Sequence, residues 1–194
     1  MKPEIIALAG RAGCGKDTVA AMLEEIGVGQ VAIFAFADRL KAGLKVMLDI
    51  EIDRLSRTEK EAPIDDLPGR PSPRHLAQTL GTEWGRSVHP DLWVRLLARD
   101  VEEETRWMSE RGLVLIAVVK DCRFPNEVAW VKSQGGAVWW IERDGMPGVR
   151  DHASEKAIGP QDCDRVVKNL GTLDDLRWEV RNAWLSHWDA RRAA

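Results

Sequence analysis

The stretch Ile5-Ile-Ala-Leu-Ala-Gly10-Arg-Ala-Gly-Cys-Gly15-Lys16-Asp17-Thr18 governs how the rest of the chain is read. Its five leading apolar residues suit a strand buried on both faces. They run into a glycine-rich turn, and helical spacing follows at Val19, Met22, Leu23 and Ile26. Strand, glycine turn and helix is the context in which glycines and a lysine at this spacing cradle phosphates. Backbone N–H groups along Gly10, Ala12, Gly13, Cys14 and Gly15 turn inward, and the start of the helix adds its partial positive charge. Lys16 reaches the β- and γ-phosphates as a point charge. The strict pattern places Ser or Thr directly after the lysine, whereas here Asp17 intervenes and Thr18 follows. The displaced hydroxyl makes Thr18 a phosphate contact and Asp17 the holder of a magnesium-bound water, and both stand as candidate metal residues. Cys14 reads as inert packing or an oxidation-sensitive thiol.

Outward from this stretch, further apolar runs recur at Val31–Phe36, Leu113–Val119, Ala137–Ile141 and Arg165–Val167, with helical patterns between them. Continuous rather than alternating runs predict a parallel sheet with helices on both faces. The fold expected is a three-layer α/β/α sandwich of about five parallel strands, in a single domain over 1–194. Two segments are too long or too irregular for plain crossovers. Residues 38–110 carry a proline-rich break, Ala62 to Pro73, and read as an inserted helical region that binds the acceptor. Residues 143–164 are polar and punctuated by Gly145, Pro147, Gly148, Gly159 and Pro160, and read as a lid. Trp178, Trp184 and Trp188 recur at helical spacings near the end of the chain and are expected in the core.

A phosphate-binding loop needs a second half. Lys120-Asp121-Cys-Arg123-Phe-Pro-Asn126-Glu127 follows the longest apolar run, and ligand sites of open α/β sheets gather at such strand ends. A carboxylate there orients magnesium or the attacking oxygen, and an arginine clamps a phosphate bidentately. Asp38 and Lys41 follow the second run, with Asp38 also suited to capping the next helix. Gln78, Thr82, Glu83, Trp84, Arg86 and Trp93 gather hydrogen-bonding groups, a cation and aromatic faces. Such a set hydrogen-bonds a base edge, stacks on its face and holds a 5′-phosphate. The lid carries Arg143, Arg150, His152 and Lys156, cations that close over phosphates and exclude water.

Composition limits the partners. A formal net charge of −3 leaves no basic surplus for a nucleic-acid backbone. No apolar run reaches the roughly 18 residues of a membrane helix, and MKPEII lacks the apolar centre of a signal peptide. Three separated cysteines match no zinc spacing and point to reduced thiols in a cytoplasm. The partners expected are small-molecule nucleotides, with no nucleic acid and no membrane; oligomeric state is left open, with a homodimer as one expectation.

With these residues in place, the chain resembles the phage-type deoxynucleoside monophosphate kinases of the P-loop kinase superfamily over most of its length. The matching pieces are the Gly-Lys-Asp-Thr loop ending, Phe36-Ala-Asp38 with Lys41, Leu80-Gly-Thr-Glu83 with Arg86, and Trp93-Val. They continue with Asp121-Cys-Arg-Phe-Pro-Asn-Glu127, His152-Ala-Ser-Glu155 and Asn169-Leu-Gly-Thr-Leu. The resemblance implies transfer of the γ-phosphoryl of ATP to a (deoxy)nucleoside 5′-monophosphate, with Mg2+. It implies that Lys16 stabilises the transferring group, that Asp121 and Arg123 sit at the acceptor side, that Arg143 and Arg150 are lid arginines, and that Asn169 lies at the adenine edge. Cys122, where an apolar residue such as Val is usual, and Lys120 before the aspartate depart from the family pattern. Other small-metabolite kinases of the phosphomevalonate type share the Gly-Lys-Asp opening, and a non-catalytic ATP-binding module is the alternative from another class.

Overall fold

The computed structural model describes residues 1–49, 58–145 and 157–193. The chain divides into two compact units, Met1–Ala35 with Arg99–Ala194, and Phe36–Ala98.

The first unit is built on five parallel strands: β1 (Glu4–Ala9), β2 (Val31–Phe34), β3 (Ile116–Val119), β4 (Ala137–Glu142) and β5 (Arg165–Lys168), in the order β2-β3-β1-β4-β5. β1 is central because Ile5 to Ala9 leave nothing exposed on either face. Its register sets Ile6 beside Val118 on one side and Leu8 beside Trp139 on the other. Helix α1 (Lys16–Ile26) packs on one face through Val19, Ala20, Leu23 and their neighbours. The C-terminal helix of the chain (Leu173–Ala193) covers the same face with Leu176, Val180 and Ala183. On the other face a helix over Pro125–Ser133 packs through Val128 and Val131; a methyl added at Gly136 would meet Val131 and Ile5 at 3.0 and 2.9 Å, so no larger residue fits that crossing.

Strands β2 and β3 are shorter than their apolar runs suggest. The run at Leu113–Val119 enters the sheet only at Ile116, because Gly112 turns left-handed (φ 72°) and the Leu113 N–H bonds back to the Met108 carbonyl at 3.1 Å. The expected tryptophan core also needs correction. Trp184 and Trp188 pack against the core edge to face, with centroids 5.5 Å apart. Trp178, however, is exposed to solvent, because it lies on the opposite side of that helix from Leu176 and Val180.

The second unit holds α2 (Asp38–Leu48), a 3₁₀ turn (Thr58–Glu61), α3 (Pro73–Gln78), a π-helical turn (Thr79–Trp84), and α4 (Gly85–Val88). Helix α5 (Leu92–Ser109) contributes residues to both units. Ser72 caps α3, accepting from the His75 N–H at 3.2 Å, with Pro73 in the first turn. Continuing the chain order, Pro125–Ser133 is α6 and Leu173–Ala193 is α7. Among the described residues no helix is long and apolar enough to cross a membrane.

Candidate active site

The glycine loop joins the C-terminal end of the central strand to α1, the position where ligands settle in open α/β sheets. Gly10 has φ 135°, and a methyl group built there would lie 2.6 Å from the Ile141 carbonyl oxygen and 2.8 Å from the Cys14 sulfur. Gly15, at φ 106° and ψ 17°, occupies the cap position of α1, and its carbonyl takes the first helical bond, from the Val19 N–H at 2.9 Å. Lys16 follows immediately. Its ammonium donates to the carbonyls of Gly10 and Arg11 at 2.7 and 2.8 Å and lies 3.6 Å from the Cys14 sulfur. The cation that the motif calls for is therefore at the loop. Asp17 is 88% exposed, and its carboxylate lies 3.5 Å from the Lys120 ammonium. Thr18 is half-buried on the same turn.

Two distant residues reach this loop. The side-chain amide of Asn169 donates to the Cys14 carbonyl at 2.8 Å and stands where a Gly15 methyl would be, 2.6 Å from that position. Its own N–H is held by the Glu142 carbonyl at 2.7 Å. The guanidinium of Arg143 donates to the Gly13 carbonyl at 3.4 Å. In the segment read as a lid, Arg150, His152 and Lys156 lie outside the described residues. The end of that segment is tied down: the Asp164 carboxylate accepts from the Val138 N–H at 2.8 Å, and Lys132 donates to the Asp162 carbonyl at 3.0 Å.

The loop after β3 is held along its backbone. The Lys120 N–H donates to Phe34 at 2.9 Å and the Cys122 N–H to Leu8 at 3.1 Å. Glu127, only 3% exposed, accepts from the N–H groups of Arg123 and Phe124 at 2.7 and 3.0 Å. Asp121 and Arg123 are half-buried on either side of the buried Cys122. Burial first, then the charges of Glu127 and Asp121, push the Cys122 thiol well above its ordinary value. Arg123 and Cys122 line a recess together with Gly10, Arg11, Ala12, Trp140 and Ile158, so the two loops share one concavity. Trp140 had not been singled out by its sequence, because a tryptophan inside an apolar run reads as core.

In the second unit, Asp38 opens α2 as its first residue, and Ala37 takes the cap position that Asp38 was suited to. Lys41 lies half-buried on the first turn. Gln78 ends α3, Thr82 and Glu83 lie in the π-helical turn, and Arg86 on α4 donates to the Pro90 carbonyl at 3.3 Å. Trp93 is engaged internally: it is 8% exposed, its indole N–H donates to the Gly81 carbonyl at 2.7 Å, and its ring lies against Gly85. It shapes the turn instead of presenting an open face. Trp84, 53% exposed, is the aromatic surface that this turn offers. Among the described residues no cluster of three or more His, Cys, Asp or Glu could hold a metal ion.

Comparison with known proteins adds an independent line. A protein of Acanthamoeba polyphaga mimivirus, provisionally named a deoxynucleotide monophosphate kinase, is 27% identical over 184 residues, covering 91% of this chain and 93% of that one. The crystal structure of TT1252 from Thermus thermophilus overlays with a TM-score of 0.51 at 20% identity, covering 96% of this chain and 98% of the other, which speaks to the fold. The family model described as deoxynucleotide monophosphate kinase matches residues 50–180. That match begins after the glycine loop, so loop geometry and family match are separate observations. Together they identify the chain as a member of the deoxynucleotide monophosphate kinase family, phosphotransferases of the P-loop superfamily.

Proposed function

We propose that this protein transfers the γ-phosphoryl of ATP to a (deoxy)nucleoside 5′-monophosphate, giving ADP and the diphosphate. The observation that carries the reading is the shared recess, in which the glycine loop and the Arg123 loop face one volume. A donor phosphate chain on the first and an acceptor phosphate at the second would meet there. Phosphoryl transfer passes through a loose transition state, so the protein mainly positions groups and neutralises charge. Lys16 would exchange its two carbonyl partners for phosphate oxygens, and Arg143, already at the Gly13 carbonyl, would swing its charge onto the same group. Asp121 and Arg123 serve the acceptor side. A phosphate monoester is already an anionic nucleophile at neutral pH, so no strong general base is required.

The residues present fit a magnesium ion. Asp17 and Thr18 are hard oxygen donors on the first turn of α1, and magnesium keeps several waters and takes its remaining ligands from substrate phosphates. When bound, the ion would neutralise charge on the β- and γ-phosphates. The Asp17 carboxylate, now 3.5 Å from the Lys120 ammonium, would turn to the magnesium-bound water when the ion is present. Asn169 is tied to the loop through its side-chain amide, and the adenine-edge role is proposed for this residue at the end of β5. In the second unit, Asp38, Lys41, Gln78, Thr82, Glu83 and Arg86 are proposed to recognise the acceptor, and Arg150 is proposed as a lid arginine alongside Arg143. The stacking role passes from Trp93 to Trp84.

The test is acceptor-dependent ADP formation from ATP across dGMP, dTMP, dCMP, dAMP and mevalonate phosphate. Turnover with one or more nucleoside monophosphates is expected. Turnover with mevalonate phosphate alone, or tight ATP binding without any acceptor-dependent ADP, would remove the reading.

A further inference from the structure

The mechanism above leaves one buried charge unused. Glu127 sits in the first turn of α6 and is almost fully removed from water, at 3% exposed. A carboxylate so placed requires partners. A glutamate at the third helical position ordinarily bonds the cap residue's N–H and contributes only helix stability. Here a single oxygen, Oε2, accepts two N–H groups, those of Phe124 and of Arg123 one residue further upstream. The Lys120 and Cys122 N–H groups are held by β2 and β1. From Lys120 to Phe124, the N–H groups of Lys120, Cys122, Arg123 and Phe124 are therefore bonded. The Arg123 and Phe124 N–H groups, which flank the peptide carrying Arg123, are both held by Glu127.

We infer that Glu127 is a positioning residue, whose buried carboxylate holds Arg123 in the wall of the recess opposite the glycine loop. The inference rests on the acceptor-side role proposed for Arg123. The carboxylate supplies no proton and touches no substrate; it removes backbone freedom from the residue that does. Misplacement of a charged group by about 1 Å costs on the order of 100-fold in rate, so losing these two bonds is read in turnover rather than in folding alone.

The experiment compares wild type, E127A, E127Q, R123A and the double variant E127A/R123A. Amide hydrogen exchange by NMR gives a readout independent of activity. E127A should accelerate exchange selectively at Arg123 and Phe124, and E127Q should leave it slow, because its amide oxygen can accept the same pair. In the kinase assay E127A should lower kcat/KM for the acceptor by about 100-fold while ATP binding by calorimetry is unchanged, and E127Q should restore most of it. The double variant should be no slower than R123A, since Glu127 acts through that residue. Additive losses, equal damage to ATP and acceptor, or unchanged exchange at the two amides would each overturn the inference. Should E127A not fold, E127D, whose carboxylate falls one methylene short, takes its place. A wild-type protein with no acceptor turnover defeats the proposed function, and amide exchange then decides the positioning role by itself.

Discussion

Gly10 shows how much of the phosphate loop is written in single residues. Its φ of 135° disfavours any side chain, and a methyl would meet Ile141 backbone and the Cys14 sulfur inside contact distance. Gly10→Ala should cost about 1–3 kcal/mol from backbone strain alone, and more where the Ile141 carbonyl cannot retreat. Chemical denaturation checks this, and an unchanged midpoint would contradict the geometry. Lys16→Ala makes the complementary test, because the ammonium bonds the Gly10 and Arg11 carbonyls within the loop itself. It should keep the fold by circular dichroism and lose about 100–1,000-fold in kcat. Both residues were legible from spacing. Asn169 and Glu127 were legible only as members of a longer motif, since their bonds span 155 residues in one case and sit inside a helix start in the other. Trp93 misled for a physical reason: an indole suits base stacking and core packing equally, and only the Gly81 carbonyl at 2.7 Å decides between them.

At the scale of elements, the side chains at a helix start carry a measurable share of stability. The last helix begins at Leu173, directly after Thr172. Thr172 Oγ1 accepts from the Asp175 N–H at 3.2 Å, while the Asp175 carboxylate accepts from the Thr172 N–H and hydroxyl at 2.8 and 2.7 Å. That reciprocal arrangement closes the first turn. Thr172→Ala should therefore destabilise the protein by about 0.5–2 kcal/mol, read as a lower thermal midpoint with the same final signal. The hydrogen bonds from Thr172 also hold the Asp175 carboxyl below its ordinary value. A lowered folded-state value means stability present above the unfolded carboxylate range and lost as pH falls through the folded one. The gap between wild type and Thr172→Ala should accordingly narrow in acid. The π-helical turn Thr79–Trp84 had no legible signal, because it depends on Trp93 reaching back twelve residues to Gly81.

For the whole molecule, alternating apolar runs and helical patterns were enough to read a parallel sheet, since strands covered on both faces must be apolar throughout. Strand order was not legible, because apolar runs do not rank themselves, and only tertiary packing sets β3 and β4 on either side of β1 and leaves β2 and β5 at the edges. Nor was the meeting of Cys122 and Cys163, far apart in the chain, within electrostatic reach of one another. Their environment sets a property of the entire fold. Burial first, then Asp162 and Asp164, pushes the Cys163 thiol up to about 11, and Cys122 is raised well above its ordinary value, chiefly by burial. In the unfolded chain both thiols ionise near about 8.5. Folded-state values raised above unfolded ones give stability that is complete below the unfolded value and lost as pH rises toward the folded one. The chain has no tyrosine, so phenol ionisation does not obscure this window. Urea unfolding followed at several pH values from neutral to about 10.5 should show a falling midpoint above about 8.5. The variant Cys122→Ala/Cys163→Ala, compared by slope rather than by absolute stability, should show a flatter alkaline limb. Parallel limbs in the two proteins would mean that other groups carry the alkaline loss and that the buried thiols do not set it.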